Sequence, residues 1–440
     1  MSSATGRDYY STRHSALGGL GGIAALGLAL GAGEGQAQEL RRRLESGPDG
    51  QIALSYPARG DVCGSGTSIL RIGTSGFNES SWIWSRGESF ASCEHGPVRA
   101  LLTRADQGIV GIRIGIGEVA WPAQATDVGT VAADAAAAYF VDLARRTDGR
   151  LGRDALLAAV LADSPAWRNL AELGRNRALS RGLRERAVSW LGREVAGLGA
   201  TEARELTGVL VAIARDMEEP ASLRSRAVSS LARADGSGTA ELVGLAKADD
   251  TPVAKAALSA LGRTTDPRAR EAVRRAARDS TLPDQVRLEA IKGLGGRDGT
   301  PADLALVRGL WKTLPGSESR HAVLDLIAEA GGSENARWLL AITRDQGQPA
   351  SVRARAARAA EQAGIGSAEL IRLYDEGPDR PVKESILEAL IRIGDRAAID
   401  KVVAIAKSDT DPQLRRAAVS RLAKAGNARA RAALEDLVEH

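Results

Sequence analysis

The sequence contains few of the residues that build metal centres, aromatic cores and phosphate-binding loops. Its 440 residues include two Cys, four His and only 3% aromatic side chains. So few Cys and His exclude most metal architectures with several ligands. The four His are also too scattered for a His-Glu-x-x-His motif, and the absence of a Gly-Lys dipeptide excludes a P-loop. We therefore expect no catalytic site, no metal and no cofactor, and we predict that the protein is not an enzyme.

The chain is instead rich in aliphatic residues and nearly balanced in charge. Hydrophobic residues make up 44% of it and are mostly Ala, Leu and Val, a composition that suits close-packed helices. There are 59 basic residues against 55 acidic ones, and all but eight of the basic residues are Arg. This mild excess does not by itself predict binding to nucleic acid.

The first 37 residues are predicted to be an export signal. Arg residues in the first fifteen positions precede the uncharged segment 16–33, and the small residues Gly35 and Ala37 precede Gln38. This order is typical of a cleaved signal peptide. The alternative is a single membrane anchor, although seven Gly within 16–33 make a poor spanning helix. We expect an exported protein, in the periplasm, the cell envelope or the medium, with no membrane span after cleavage.

Residues 38–125 are predicted to form a small antiparallel β unit of four or five strands. Apolar residues alternate with period two in three runs, with two weaker candidates. The five runs are Gln51–Tyr56, Val98–Thr103 and Ile109–Ile116, and more weakly Ser68–Gly73 and Ser81–Trp84. The sequence Asp-Gln-Gly at 106–108 lies between two of these runs and is typical of a hairpin turn.

Both cysteines, Cys63 and Cys93, lie in Gly- and Ser-rich loops of this unit. In an exported chain such a pair predicts a disulfide bond. Closing this loop restricts the unfolded state by about 3–4 kcal/mol in the chain-entropy model. The alternative is a zinc site formed by both cysteines and His95, but no fourth ligand lies at a recognisable spacing.

From Val131 onward the hydrophobic period becomes 3.6 and one pattern recurs along the chain. The copies place aliphatic or small residues at positions i, i+4, i+5 and i+8, which lie on one side of a helix, and the copy at Glu318 lacks only the opening aliphatic residue. The nine copies begin at Leu151, Leu183, Leu223, Val253, Val286, Glu318, Val352, Val382 and Leu414. A second helix fits between successive copies. A mainly α fold follows, in which residues 126–440 form a right-handed α-solenoid of about eight or nine two-helix repeats.

The joint between the two helices of a repeat has a sequence signature. Arg-Asp-x-x-x-Pro-x-x-aliphatic-Arg occurs at 215–224, 278–287 and 344–353. Pro fits the first turn of the second helix because its missing N–H would be unpaired there. These repeats resemble HEAT repeats of the short, bilin-lyase-like kind. The whole arrangement is similar to secreted bacterial HEAT-repeat proteins with a small N-terminal two-cysteine β module, which implies a curved scaffold for macromolecules.

A basic residue recurs at one position of most repeats. This basic column consists of Arg184, Arg224, Arg287, Arg353, Lys383 and Arg415. One interpretation is a structural ladder in which each Arg bonds a turn carboxylate or carbonyl of its own or the adjacent repeat. The leading carboxylate candidates are the turn residues Asp216, Asp279 and Asp345. The other interpretation is a stripe that binds a partner.

The resulting hypothesis is a non-enzymatic, exported scaffold that holds a protein or peptide on the concave face of the solenoid. Two alternatives remain: a HEAT-like nucleic-acid-binding protein similar to DNA glycosylases, and a bilin-lyase-like enzyme. The predicted export and the balanced charge argue against nucleic acid, because phosphate binding needs clustered, uncompensated cations. The oligomeric state is not predicted.

Overall fold

A computed structural model describes residues 35–66, 69–72, 75–76, 93–117, 121–233, 238–296, 298–314, 316–425 and 428–439. Nearly all of the predicted export signal and the predicted strand Ser81–Trp84 lie outside these ranges. The described residues divide into two compact units, one ending at Glu194 and the other beginning at Val195.

The first unit combines a small β structure with five helices. Its strands are β1 (Gly50–Tyr56), β2 (Val62–Gly64), β3 (Ile69–Ile72), β4 (Ser75–Gly76), β5 (Val98–Ala105), β6 (Gly108–Ile116) and β7 (Thr126–Thr130). Its helices are α1 (35–45), α2 (Ala133–Arg146), α3 (Gly149–Leu161), α4 (Trp167–Arg175) and α5 (Arg181–Glu194). The strands form a four-stranded sheet of order β6-β5-β1-β7 and a three-stranded sheet of order β2-β3-β4.

The period-two pattern located β1, β3, β5 and β6 within a few residues of their observed ends. Strands β5 and β6 form the predicted hairpin. Asp106 and Gln107 at its turn have φ angles of 52° and 63°, the left-handed conformation that two-residue type I′ turns require. The apolar side chains of β1 and β5 are buried, including Leu54 and Leu102. The small N-terminal sheet expected from the sequence is therefore confirmed.

The sheet is not purely antiparallel, which differs from the expectation. Strand β7 pairs parallel to β1 at the sheet edge, and its sequence TDVGT carries no alternation of apolar residues. A hydrogen bond of 2.9 Å between the hydroxyls of Ser55 and Thr130 joins the two strands. The sheet thus extends past residue 125, where the solenoid was expected to begin, and the first helix of the repeats starts at Ala133. An exposed edge strand buries neither face, so its sequence does not need to alternate apolar and polar residues. The period-two pattern therefore could not locate β7.

The predicted disulfide between Cys63 and Cys93 is confirmed, with 5.3 Å between the two Cα atoms. Cys63 lies on β2 and is fully buried. Next to the bond, Gly64 and Glu94 exchange two backbone hydrogen bonds of 2.9 and 2.8 Å. Because both sulfur atoms are used in the disulfide, the alternative zinc site with His95 does not form.

A buried arginine of the sheet holds the C-terminal end of helix α1. Arg104 of β5 donates hydrogen bonds to the carbonyl oxygens of Leu44 and Ser46, at 3.0 and 2.9 Å, and to that of Pro48. A cation at this place satisfies carbonyls that the end of a helix leaves unpaired. Leu40 and Leu44 are buried on the same helix. The segment after the predicted cleavage site is therefore part of the folded unit.

The β structure and the first two helix pairs form one unit rather than separate modules. Tyr56 of β1 donates a hydrogen bond of 2.8 Å to the carbonyl of Ala158 on α3. The backbone N–H of Arg59 bonds the carbonyl of Leu161 at 3.0 Å, and its guanidinium pairs with the buried carboxylate of Glu194 on α5. These contacts fasten the loop after β1 to both helix pairs.

The second unit consists of seven consecutive helix pairs and a terminal helix. The pairs are α6 (Ala200–Arg215) with α7 (Ala221–Leu231), α8 (Thr239–Leu245) with α9 (Thr251–Gly262), α10 (Pro267–Arg278) with α11 (Asp284–Lys292), α12 (Pro301–Gly309) with α13 (Gly316–Ala330), α14 (Ser333–Arg344) with α15 (Ala350–Gln362), α16 (Ser367–Asp375) with α17 (Arg380–Ile393), and α18 (Arg396–Ser408) with α19 (Pro412–Lys424); the last helix is α20 (Ala428–Glu439). Two 3₁₀ segments, Val195–Gly197 and Leu310–Thr313, complete the described elements of this unit.

Every copy of the repeated pattern lies on the second helix of a pair, from α3 in the first unit to α19 in the second. This arrangement confirms the two-helix repeat and the α-solenoid class. The joint prolines Pro220, Pro283 and Pro349 lie one residue before the second helix, as its N-cap, with φ near −55°. Their carbonyls accept the first backbone bonds of that helix, such as the one from Leu223 to Pro220 at 2.9 Å. The right-handed sense of the solenoid stays a prediction.

Adjacent second helices contact one another along the second unit, and the backbones of α9 and α11 approach closely at their C-terminal ends. A Cβ atom on Gly262 would lie 2.7 Å from the Cα of Gly293, a distance that real Cβ atoms do not reach. Two glycines facing each other therefore set the separation of these two helices. None of the described helices is both long and apolar enough to cross a membrane.

We predict that Gly262→Ala destabilises the second unit, whereas Gly208→Ala does not. The first substitution forces backbone against backbone at Gly293, which costs about 1–3 kcal/mol as overpacking does. Gly208 lies inside α6 with no neighbouring atom within 4 Å of the place that a methyl group would occupy, so Ala should gain about 0.5–1 kcal/mol of helix propensity. Urea unfolding followed by circular dichroism measures both changes. Equal effects of the two substitutions would contradict the close approach.

Candidate functional site

The arginines of the basic column are mostly buried. Arg184, Arg224, Arg287 and Arg353 are between 4% and 8% exposed. Each lies on the second helix of its pair, directly after a buried aliphatic residue such as Leu223. A guanidinium in such a position needs hydrogen-bond acceptors, because burying an unpaired charge is costly.

The acceptors come from two successive repeats. Arg287 donates to the carbonyl of Ala277 in its own repeat at 2.9 Å, and to the carbonyl of Thr313 in the next repeat at 2.9 Å. Arg224 pairs with Asp250 at 2.6 Å, and Arg353 pairs with Asp379.

In all three cases the acceptor in the next repeat lies 26 residues further along the chain, just before the following second helix. These arginines therefore join the turns of adjacent repeats.

The leading carboxylate candidates are corrected by these contacts. Asp279 accepts hydrogen bonds from the backbone N–H and the hydroxyl of Thr281, at 2.9 and 2.6 Å, rather than from Arg287. Asp345 likewise accepts from Gly347 and Gln348.

The side chain of Asp216 accepts from the N–H of Glu218 at 3.0 Å, while Arg224 donates to Asp250. The side chain of an Asp at the first position of a tight turn accepts a hydrogen bond from the backbone N–H two residues later. In these turns that bond forms instead of a bond with the arginine. The hydroxyl and backbone N–H of Thr281 hold the pKa of Asp279 below its usual value, with a smaller electrostatic contribution from Arg287.

The last two members of the column are placed differently. The ammonium of Lys383 lies 5.0 Å from the ring centroid of Tyr374, a cation–π contact. Arg415 donates a hydrogen bond of 2.6 Å to the carbonyl of Asp409, whose carboxylate accepts from the hydroxyl of Tyr374 at 2.7 Å. Both basic side chains are half-buried. The C-terminal repeats are thus joined around a tyrosine instead of a guanidinium.

A different set of side chains is available to a partner. The outward residues of the second helices make up a surface that we call the second-helix face. Its members include Ser225, Ser229, Lys255, Ser259, Glu289, Lys292, Asp325, Leu326, Arg355, Arg358, Glu361, Glu384, Glu388 and Arg392. Most of these are half-buried by neighbouring repeats, whereas outward residues of the first helices, such as Arg337 and Arg372, are exposed.

The charges on the C-terminal part of the second-helix face are paired between repeats. Arg355 of α15 binds Asp325 of α13 with a hydrogen bond of 2.8 Å. Arg392 of α17 binds Glu361 of α15 at 2.6 Å, and Arg358 lies 3.6 Å from Glu388. Each of these cations therefore has a carboxylate on the neighbouring helix, and little uncompensated charge remains there.

A cleft of about 920 Å³ opens at one edge of the second-helix face, between the repeat that ends with α9 and the repeat that begins with α12. We call it the α10–α12 cleft. Its walls are Ser259, Gly262, Arg263, Thr264, Thr265, Pro267, Arg270, Arg274, Glu289, Lys292, Gly293, Gly295, Asp298 and Thr300. The close approach of Gly262 and Gly293 forms its floor on the second-helix side.

Two of the arginines in the cleft wall are held by one buried carboxylate. Asp303 of α12 has no exposed surface and accepts from Arg270 at 2.8 Å and from Arg274 at 2.6 Å. The hydroxyl of Thr300 also donates to it. Burial alone would raise the pKa of Asp303, but the hydrogen bonds from Arg274, Thr300 and Arg270 outweigh it and keep this pKa below its usual value. Asp303 is therefore charged and fixes the direction of both guanidinium groups.

The described residues contain no cluster of three or more His, Cys, Asp or Glu side chains arranged to hold a metal ion. The surfaces that offer charge and shape for binding are the second-helix face and the cleft.

The two-helix units define the class of the protein as an α-solenoid. Residues 206–295 and 367–440 match the family model of HEAT repeats, so these two segments are HEAT repeats, which indicate a repeat scaffold for protein interaction. No curated protein matches the sequence.

Several solved structures resemble the chain weakly. Human deoxyhypusine hydroxylase in complex with glycerol is 17% identical, with 66% of this chain and 94% of that chain covered and a TM-score of 0.26. The CpcE–CpcF complex of phycocyanin lyase from Nostoc is 17% identical, with coverages of 62% and 94% and a TM-score of 0.23. Kap121p is 14% identical over 66% of this chain and 39% of its own length, with a TM-score of 0.37.

We predict that Arg287→Ala lowers the free energy of unfolding of the second unit by about 1–3 kcal/mol, because buried carbonyls of two repeats lose their donor. The matched control is Arg337→Ala on α14, an exposed arginine whose loss should change stability by no more than about 0.5 kcal/mol. Chemical denaturation compares the two. An Arg287→Ala protein as stable as the control would contradict the structural role.

We predict that Asp303→Asn removes part of the acid sensitivity of the second unit. The pKa of Asp303 is lower in the folded protein than its usual 3.8, so the carboxylate stabilises the fold above that pH and the contribution is lost as the pH falls through the folded value. At neutral pH the substitution should cost about 1.5–3 kcal/mol. Asp325→Asn, in a half-exposed ion pair, should cost less than about 1 kcal/mol.

Urea midpoints measured from pH 7 to pH 3 test this prediction. The loss of stability on acidification should be smaller in Asp303→Asn than in the wild type. Parallel pH profiles for the wild type and Asp303→Asn would show that Asp303 does not carry the expected charge.

Proposed function

We propose that the protein is an exported, non-enzymatic scaffold that holds a protein or peptide partner on the concave face of the solenoid, and we assign that face to the second-helix face. The observation that carries this proposal is the order of the side chains on that face. Its side chains are half-buried and ordered by neighbouring repeats, and the buried arginines keep successive repeats in register. Such a pre-ordered surface loses little conformational entropy when a partner binds.

The disulfide supports the export part of the proposal. Disulfide bonds persist in oxidising compartments and are rare in the cytosol. The Cys63–Cys93 bond closes the sheet β2-β3-β4, which is too small to be secure through its core alone.

The paired charges on α13, α15 and α17 favour a protein over nucleic acid as the partner. Binding of a phosphate backbone gains from the release of counterions, which requires cations that are not already neutralised by protein carboxylates. On this stretch the cations Arg355, Arg358 and Arg392 each face a carboxylate.

The export part is tested on the protein produced with residues 1–37 in its native host. We expect the mature chain in the envelope or the medium, beginning near Gln38, with a mass under non-reducing conditions that corresponds to one disulfide. An intact Met1 or two free thiols in that material would contradict the proposal.

The binding part is tested by site-specific photo-crosslinking in the same host. A photoreactive residue at Leu326 or Glu384 lies on the second-helix face, and matched controls at Arg337 and Arg372 lie on the outer surface of first helices. We expect a defined crosslinked protein, identified by mass spectrometry, from the first two positions and not from the controls. Crosslinks from the control positions alone would assign binding to the opposite surface.

A further inference from the structure

The predicted cleavage site lies inside the first turn of helix α1. The helix spans residues 35–45, and the small residues Gly35 and Ala37 precede the predicted cut, so the mature chain begins at Gln38. Gln38 is exposed, whereas Leu40, two residues further along, is only 3% exposed and packs into the first unit. The new end of the chain is therefore a surface glutamine held close to a buried residue.

A glutamine at the first position of a chain carries an α-amine and a side-chain amide that can react with each other. The amine nitrogen attacks the Cδ carbonyl carbon, a C–N bond forms, and the bond from Cδ to the amide nitrogen breaks. Ammonia leaves with a proton from the amine, and the product is the five-membered lactam pyroglutamate. The step involves no oxidation or reduction and needs no co-reactant, and because it is intramolecular it brings no second molecule into place.

The position of Gln38 in the helix is compatible with this ring closure. The first four N–H groups of a helix have no intrahelical acceptor, so removal of residues 1–37 leaves the amine of Gln38 outside the hydrogen bonds of α1. The side chain of Gln38 is exposed, so no packing opposes the rotation that brings Cδ to the amine.

The charge of a free N-terminus favours the same reaction. An ammonium on Gln38 would lie at the N-terminus of α1, where the partial positive charge of the helix makes a cation unfavourable. Arg41, one turn further on, is paired with Glu45 at 3.1 Å. Arg42 is likewise paired with Glu39, so the end of the helix is the main source of the repulsion. The lactam is neutral, and closing the ring removes the unfavourable charge.

We propose that Gln38 is converted to pyroglutamate after cleavage, so that the mature protein has a blocked N-terminus. This inference rests on the export part of the proposed function, which supplies the cut before Gln38. It adds a covalent modification that the scaffold function does not itself require.

The blocked end protects helix α1. Aminopeptidases remove residues one at a time from a free α-amine, and the lactam offers none. Only Gln38 and Glu39 separate the new end from Leu40, which is buried together with Leu44 of the same helix. The lactam therefore keeps such peptidases away from the residues that pack α1 into the first unit.

Terminal labelling and mass spectrometry of the mature protein from the native host test the inference. Free amines are dimethylated before digestion, so that a ring already present is distinguished from one that forms during handling. Trypsin then releases residues 38–41, which contain no Lys, so the α-amine is the only place that the label can occupy. The matched control is Gln38→Asn, which keeps the amide but is one carbon shorter and would need a strained four-membered ring.

We expect the wild-type peptide to carry no label and to lack the mass of one ammonia. The Gln38→Asn peptide should carry the label and its full mass, because its ring does not close. An aminopeptidase should remove no residue from the wild-type protein and should shorten the variant. Equal resistance of the two proteins would contradict the protective role.

The same spectra separate the inference from the function on which it rests. A mature chain that begins at Gln38 with a labelled amine, or at a different residue near Gln38, leaves export standing and overturns the lactam. A chain that keeps Met1 contradicts export itself, and the inference fails with it. An unlabelled Gln38 that has lost one ammonia supports both.

Discussion

Three joints between repeats of the second unit depend on a buried guanidinium that bonds the turn of the next repeat, and those of Arg224 and Arg287 also bond a carbonyl of their own repeat. Arg287 shows the arrangement most fully, with acceptors in Ala277 and Thr313. Hydrophobic contact between helices is not directional and allows one helix to slide along another. The N–H donors of a guanidinium lie in a rigid plane, so they form hydrogen bonds only when the acceptors are in one arrangement. The aliphatic stripes hold the helices together, and the arginines fix their register. The order of the second-helix face follows from that register.

The periodicity of the sequence predicted the helices well because a 3.6-residue pattern repeated nine times leaves little ambiguity in period or phase. It also located the hairpin of β5 and β6 from the Asp-Gln-Gly turn. It did not find β7, whose residues are exposed at an edge, nor the fusion of the sheet with α2–α5. The packing of the sheet on these helices depends on contacts such as that of Tyr56 with Ala158, which lie 102 positions apart in the chain. A pattern in the local sequence cannot predict contacts between such distant residues.

The basic column was visible in the sequence, but its acceptors were not assigned correctly. Asp279 and Asp345 recur eight residues before their arginines, and this regular spacing suggested a contact within one repeat. Those carboxylates accept hydrogen bonds from backbone N–H groups of their own turns. The arginines bind acceptors just before the second helix of the next repeat instead. A constant separation of 26 residues between Arg224 and Asp250, and between Arg353 and Asp379, was the signal that could have revealed it. The α10–α12 cleft lacked any such signal, because it arises where two glycines let α9 and α11 approach.

The contact between Arg104 and helix α1 constrains the order in which the first unit can form. The carbonyls at the end of α1 are satisfied by a side chain that lies about sixty positions later in the chain. A polypeptide that emerges from its N-terminus therefore passes through a stage in which α1 has no anchor, until β5 follows and pairs with β1. During that stage Leu40 and Leu44, which the finished unit buries, remain exposed to solvent.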